Sequence, residues 1–388
     1  MAHTSRFLDR KTAPHIVTLV LLAGLSTLTM NIFLPSLPGM AEWFKVPYAF
    51  MQLSVALYLA LSAFLQILIG PISDRYGRRQ VLLWSLVLFL IATLGTLLAP
   101  TAAVFLGFRM AQAVIAAGMV LSRAVVRDMV PDAQAASMIG YVTMGMSIVP
   151  MIGPAIGGVL DETFGWQANF ALLLVLGLAV LALTWADLGE TAVIRKVSLG
   201  AQLRKYPELL SSQRFWGYAL CAAFASGSFF AYLGGAPFIG TQVFKLSSSQ
   251  IGGLFGLTAL GYAMGNFLAG RYSVRFGMNR MVLMGASVTV AGLGLLTLLT
   301  AMGLHHPVVF FGLTISMGMG NGMTLPNANA GMLSIKPELA GTASGLGGAM
   351  MIGGGAMLAA LAGVLLQPGS SEMPLILLML ASAVGSFL

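Results

Sequence analysis

Long apolar runs separated by short polar joints fill the chain from residue 14 onward, and each run is close to the ~20 residues a helix needs to cross a hydrocarbon core. The pattern predicts spans at 14–38, 48–69, 81–99, 102–126, 135–160 and 168–186, then at 214–238, 250–269, 281–302, 308–334, 340–366 and 373–388. Runs such as Val81 to Ala99 are apolar without alternation, which is not the pattern of a membrane β-barrel. In lipid every backbone polar group must be bonded within its own segment, so the expected fold is all-α with twelve transmembrane helices. The longest polar stretch, 187–213, divides these spans six and six, giving a first half at 1–186, a linker at 187–213 and a second half at 214–388. The halves carry traces of a repeat. The joint Gly70-Pro71-Ile72-Ser73-Asp74-Arg75-Tyr76-Gly77-Arg78-Arg79 returns in shape at Gly270 to Arg280, and Met151-Ile152-Gly153 returns as Met351-Ile352-Gly353. Parallel six-helix pseudo-repeats imply an alternating-access fold, with a binding site near the midplane between halves that rock.

Composition agrees with this pattern. With 58% hydrophobic and 8% charged residues and a mean hydropathy of +0.90, the chain has too little polar surface to coat a soluble globule. The net charge of +8 belongs to loops and does not indicate nucleic acid. If the N-terminus is inside, Arg6, Arg10, Lys11, Arg75, Arg78, Arg79, Arg123, Arg127, Arg195, Lys196, Arg204, Lys205, Arg214, Arg271, Arg275, Arg280 and Lys336 all face the cytoplasm, and only Lys45 and Lys245 lie outside. Both termini are then cytoplasmic, and the first run is a retained span rather than a cleaved leader. Cys221 is the only cysteine, so no disulfide framework or thiol metal cluster is expected, and no metal or cofactor.

Arg109 sits well inside the predicted fourth span, where an arginine costs ~2.5–3.5 kcal/mol on insertion scales. It must face a cavity or a partner, either as a structural bond to neighbouring carbonyls or as a binding and coupling group, with Gln112 one turn away to orient it. Asn31, ahead of Pro35 and Pro38, is a candidate ligand group or an inter-helix bond, and Asn321 lies among amides around Pro326. Tyr58, Tyr232 and Tyr262, with Met146 and Phe230, could line an adaptable amphipathic pocket, although such residues more often pack a core. All twelve carboxylates fall in loops or at span ends, so no buried acid offers itself as a proton carrier. No nucleophile and base pair sits in the spans, which argues against an enzyme.

Gly70 to Gln80 resembles the signature loop of the major facilitator superfamily. Arg109, Gln112 and Gly118 resemble its fourth-helix signature, and Pro150, Gly153, Pro154, Gly157 and Gly158 resemble the fifth-helix packing motif of drug/proton antiporters. Asn31 to Pro38, Ser122 to Asp128 and Gly341 to Gly345 are similar to the Bcr/CflA drug-resistance exporters. The resemblance implies export of small amphipathic compounds across a bacterial inner membrane by a monomer in contact with lipid, with protons as the expected driver. With the polar and aromatic residues read above, the candidate substrate or coupling site is Asn31, Tyr58, Arg109, Gln112, Met146, Phe230, Tyr232 and Asn321, of which the resemblance supports Asn31, Arg109 and Gln112. It also places a conformational gate on Gly70, Asp74, Arg75, Gly77, Arg78, Asp128 and Gly341. Asp74 is expected near Gly341 when the inside is closed, Asp128 beside Arg78, and Asn31 close to Arg109. The sequence departs from the family at Asn31, where an aspartate is usual, at Val274 in the second joint and at Gln167 after Trp166. The first departure keeps open a facilitator or importer without proton coupling; a membrane receptor is the more distant alternative.

Overall fold

A computed structural model gives the architecture. It describes residues 7–12, 14–129, 138, 142, 149, 152–191, 206–335 and 340–387. Among these residues ten helices are long and apolar enough to cross a membrane: Ile16–Trp43, Tyr48–Tyr76, Arg78–Leu97, Ala102–Met129, Gln167–Asp187, Gln213–Val243, Ser248–Phe276, Met278–Ala301, Pro307–Ser334 and Gly345–Leu365. The shorter Met373–Gly385 and a helix at 152–164 fall at the remaining two predicted positions. We number these spans one to twelve in chain order, with 152–160 as the described part of span five, whose helix runs on to 164 beyond the span. Trp84, Ile91, Leu98, Phe267 and Val364 are exposed apolar side chains, as expected of a surface solvated by lipid.

The joints are tighter than the sequence suggests. Span two runs as helix through Pro71 to Tyr76, and the reversal into span three is made by Gly77 alone, at φ +94°. Gly277 makes the equivalent turn between spans eight and nine at φ +83°. That backbone region is strained for a residue with a Cβ, so the two glycines mark where the chain reverses. Asp74 and Arg75 therefore belong to a helix end rather than a loop. The turns at Gly77 and Gly277 define what we call the hinge end of the molecule.

Two spans are interrupted where polar groups are needed. Span one is α-helical over Ile16–Asn31, passes through a 3-10 turn at Leu34–Ser36, and resumes at Leu37–Trp43. Pro35 has no N–H for the carbonyl of Asn31, and Ser36 N bonds Phe33 O instead of Ile32 O. Span four breaks similarly, with a 3-10 segment at Gln112–Ile115 directly after Arg109. Elsewhere glycine brings backbones together. Added Cβ atoms at Gly318 and Gly322 of span ten would run into the backbone of span eight, and one at Gly320 into span nine.

Candidate functional site

Arg109 is fully buried in the first six spans. Its Nη1 donates to Gln112 Oε1 at 2.8 Å, Nη2 to the carbonyl of Thr29 at 3.0 Å, and Nε to the carbonyl of Ser54 at 3.4 Å. The guanidinium carbon lies 4.0 Å from the Tyr58 ring centroid and 4.4 Å from that of Phe33. Gln112 is held in turn, because its Nε2 donates to Thr93 Oγ1 at 2.8 Å. The cation is thus fixed by carbonyl dipoles, one amide and two aromatic faces, and among the described residues no carboxylate lies within ion-pair distance of it. Spans one, two, three and four all contribute to this setting.

Asn31 is nearly fully buried but is not part of that shell. Its Nδ2 donates to Thr27 O at 2.9 Å, and its Oδ1 has no hydrogen-bond partner. Thr29 and Phe33 meet Arg109 from one face of span one, and at about 100° per residue Asn31, two positions from each, points to the opposite face. Asn31 and Arg109 therefore share this part of span one, where Arg109 bonds the carbonyl two residues before Asn31, but among the described residues no hydrogen bond joins them.

The pocket proposed from aromatic residues also divides. Phe230 presses on Gly355 of span eleven, where an added Cβ would collide with its ring. Tyr232, two residues on, is fully buried in an aromatic cluster, 4.9 Å from Phe255 and 6.3 Å from Phe311 between centroids. It is a packing residue of spans seven, eight and ten. Asn321 is buried with its Oδ1 unpartnered. It lies seven residues before Ala328, on the face that packs with Ala219, Ala222 and Ala343 of spans seven and eleven. Met146 and Pro150 lie outside the described residues.

At the hinge end Arg78 is the centre of a charge cluster. It lies 2.5 Å from Asp74 Oδ1, and its Nε donates to Asp128 Oδ2 at 3.1 Å, which is the pairing predicted for Asp128. Ser73 Oγ also bonds its guanidinium. Arg75 is exposed, with its guanidinium 5.4 Å from the Tyr76 ring centroid. Gly70 has open space where a Cβ would be, and Gly341 sits in the first turn of the helix Ala340–Leu365. The surroundings of 340–342 lie outside the described residues, and so does the expected contact of Asp74 with the amino end of that helix. Two acids carry structure that sequence reasoning missed. Glu190 accepts from Arg78 N at 2.8 Å and Arg79 N at 3.2 Å, capping span three. Asp187 is buried and accepts from Leu8 N, His15 N and Thr18 Oγ1, at 2.8, 2.8 and 2.6 Å, fixing the N-terminal segment to the end of span six. Nothing in a polar linker marks either role.

At the far end the first six spans meet the last six. Among the described residues the hydrogen bonds joining the two sets include Tyr48 OH to Gly234 O at 2.7 Å, Gln52 Nε2 to Ala359 O at 3.2 Å and Ser248 Oγ to Pro35 O at 3.4 Å. The fifth-span motif is built into this seam. Gly153 and Gly157 lie against span one, while Gly158 and Pro154 lie against Ser248 and Gly252 of span eight with no room for a Cβ on either glycine. Gln52, buried between Gly234 and Gly363, is the seam residue that the sequence could have flagged, since it is an amide within an apolar run. Contact between spans two and eleven continues toward the hinge end as far as Gln66 beside Gly348.

The chain is thus a helical multi-pass membrane protein with a fixed cation buried among its spans and a glycine seam at one end. It belongs to the Major Facilitator Superfamily, whose family model matches residues 19–360. It is 31% identical to a chloramphenicol resistance protein of Pseudomonas aeruginosa over 84% of this chain and 79% of that one. It is 29% identical to multidrug resistance protein D of Escherichia coli (93% and 91% covered) and 25% identical to a bicyclomycin resistance protein homolog of Haemophilus influenzae (91% and 89%). Its fold matches that of a bacterial homolog of the human lysosomal transporter Spinster, solved in an inward-facing and occupied conformation, with TM-score 0.72 at 18% identity over 96% of this chain and 94% of that one.

Proposed function

We propose that this protein is a drug exporter of the bacterial inner membrane, in which two six-span halves, 1–186 and 214–388, joined by 187–213, rock about a central site to expel small amphipathic compounds. The observation that carries the reading is Arg109, a guanidinium buried beside the break in span one with no carboxylate among the described residues within ion-pair distance. An arginine at that depth is costly, and an aliphatic residue would pack a purely structural helix at lower cost. The named activities of the chloramphenicol, multidrug and bicyclomycin resistance relatives support export. The basic hinge end supports placing that end in the cytoplasm, and the seam is then the closed periplasmic gate of a state facing inward. Phe33 and Tyr58 beside Arg109, and Phe230 against span eleven, are buried aromatic side chains that rocking of the halves would uncover for cargo, with Asn31 and Asn321 as amides having unused acceptors. The charge cluster of Asp74, Arg78 and Asp128 biases the two states. Transport involves no covalent chemistry on the cargo.

A second reading, export or facilitation without protons, is favoured by one observation: neither Asn31 nor any of the described residues in contact with Arg109 is a carboxylic acid. The two are separated by measuring accumulation of a panel of antibiotics and dyes in cells lacking their own pumps, with and without a proton uncoupler. Export of at least one compound that stops with uncoupler and with Arg109→Ala is expected. Unchanged accumulation of every compound in energised cells would remove the exporter reading.

A further inference from the structure

The seam at the far end holds a polar cluster that the Arg109 site does not use. Asp161, near the end of helix 152–164, is half-buried one turn beyond Gly157 and Gly158, which touch Ile32 of span one, Asn169 of span six and Ser248 of span eight. The hydroxyls of Ser36 and Ser248 lie against its carboxylate. Ser248 Oγ also reaches the carbonyl of Pro35 at 3.4 Å. Asn169 completes the cluster, its Nδ2 donating to Ser36 Oγ at 3.0 Å and to Gly157 O at 3.2 Å. The Oδ1 of Asn169, on a fully buried side chain, receives no hydrogen bond.

Hydrogen supply and charge point the same way. Both amide hydrogens of Asn169 are already in use, and each serine hydroxyl has only one to give. The acceptors present are the carboxylate oxygens of Asp161, the carbonyl of Pro35 and the Oδ1 of Asn169. Within the cluster the acceptors outnumber the hydrogens, so the half-buried Asp161 must take its remaining hydrogen from solvent or carry one itself. A hydrogen on Asp161 would turn an acceptor into a donor and let a serine hydroxyl rotate to another acceptor. Among the described residues no lysine or arginine lies within ion-pair distance of Asp161. Its own helix adds the like charge of Glu162. Span one faces it with Ser36, span six with Asn169 and span eight with Ser248. Lys245, ahead of the capping residue Ser247, pairs with neither acid. An ionised carboxylate carried into this seam loses hydration and gains no counter-charge.

We propose that Asp161 is a proton-binding residue of the periplasmic gate, whose neutral form favours a closed gate and whose ionised form favours an open one. The inference rests on the alternating-access reading above. Burial pushes the Asp161 carboxyl above the usual aspartate range, against the opposing pull of Ser248 and Ser36. Glu162 is held below its usual range, chiefly by Ser247 and then by Ser249. A group whose pKa is higher in the closed gate than in the solvated open one takes up its proton on closing. The closed gate therefore gains as pH falls through the raised value and loses as pH rises past it. Glu162 is ionised in both states above the ordinary carboxylate range and does not set this window. Acidity in the periplasm thus draws the protein toward its inward-facing state, the direction in which an exporter must return after releasing cargo.

The test is a distance across the gate, read by paired spin labels at Phe164→Cys and Met302→Cys in a Cys221→Ser background, in the full chain in lipid nanodiscs from pH 8 to pH 5. The closed-to-open ratio is expected to rise severalfold as pH falls, bounded for one proton by about tenfold per pH unit. Asp161→Asn should hold the gate closed and flat across the range, Asp161→Glu should keep the titration with a displaced midpoint, and Glu162→Gln should keep it unchanged. A flat profile in the unaltered chain, an unaltered titration in Asp161→Asn, or an unmoved midpoint in Asp161→Glu would each overturn the proposal. No substrate is needed. A titrating gate in a protein that exports nothing would leave this inference standing and remove the exporter reading, whereas export with a flat gate would do the reverse.

Discussion

Arg109 is held from several directions at once, and that arrangement suits a guanidinium specifically. Its fork serves Gln112 and the Thr29 carbonyl while its plane lies between Phe33 and Tyr58. A lysine ammonium keeps the charge but cannot keep both bonds and the stacking. Arg109→Lys is therefore expected to lower export about tenfold or more, while the thermal midpoint of the purified protein shifts by only a few degrees. Full export by Arg109→Lys would mean that charge alone suffices. Arg109→Ala should also destabilise, since the carbonyls of Thr29 and Ser54 lose a donor at about 1–3 kcal/mol each. At Asn31 the structure changes the question. The side chain faces away from Arg109, so Asn31→Asp would introduce a separate titrating group and could not form a direct ion pair. It is expected to steepen the pH dependence of export, checked by rates in proteoliposomes between pH 6 and pH 9; an identical profile would show that position 31 lies off the proton path.

At the scale of elements, the hinge shows one residue serving two helices. Gly77 ends span two with a backbone conformation open to glycine, and Glu190 caps span three through Arg78 N and Arg79 N. A Cβ at position 77 would run into the Glu190 carboxylate. Gly77→Ala should cost about 1–2 kcal/mol from backbone strain and the displaced cap, and Glu190→Ala about 1 kcal/mol. Because both act on the same contact, the double variant should cost less than the sum, a shortfall readable from reversible unfolding in detergent. Additive losses would show that the cap is not in place in solution. The position of this hinge was legible from Gly70 to Arg79, where glycine and arginine interrupt apolar runs. The cap was not, because Glu190 is far away in sequence and sits in a polar stretch with no pattern.

For the whole molecule, the far-end seam decides which state is stable. Gly158 and Gly252 let spans five and eight touch through backbone, and Gln52 locks span two to span eleven. Gly252→Leu, which cannot fit against Pro154, should shift the label pair at 164 and 302 to longer distances and slow export several-fold. Gln52→Ala should do the same to a smaller extent. A closed gate in Gly252→Leu would show that the seam tolerates bulk and does not control access.

The positions of the described spans, the places where the chain reverses, the family and the unusual depth of Arg109 in its span were all legible in the sequence alone. These follow from local quantities: hydropathy over a span's length, glycine at a reversal, an ionisable group where the neighbours are apolar. Tertiary structure alone decided that Asn31 turns from Arg109, that Tyr232 is core while Phe230 meets span eleven, that Asp187 and Glu190 bind backbone N–H groups, and that Asp161 lies in a seam with Ser36, Asn169 and Ser248. Each of these depends on the rotation of a helix about its axis or on contacts between residues far apart in the chain. In a helix that is apolar all round, hydropathy has no preferred face, so the sequence carries little information about rotation. Packing of glycine against backbone supplies it.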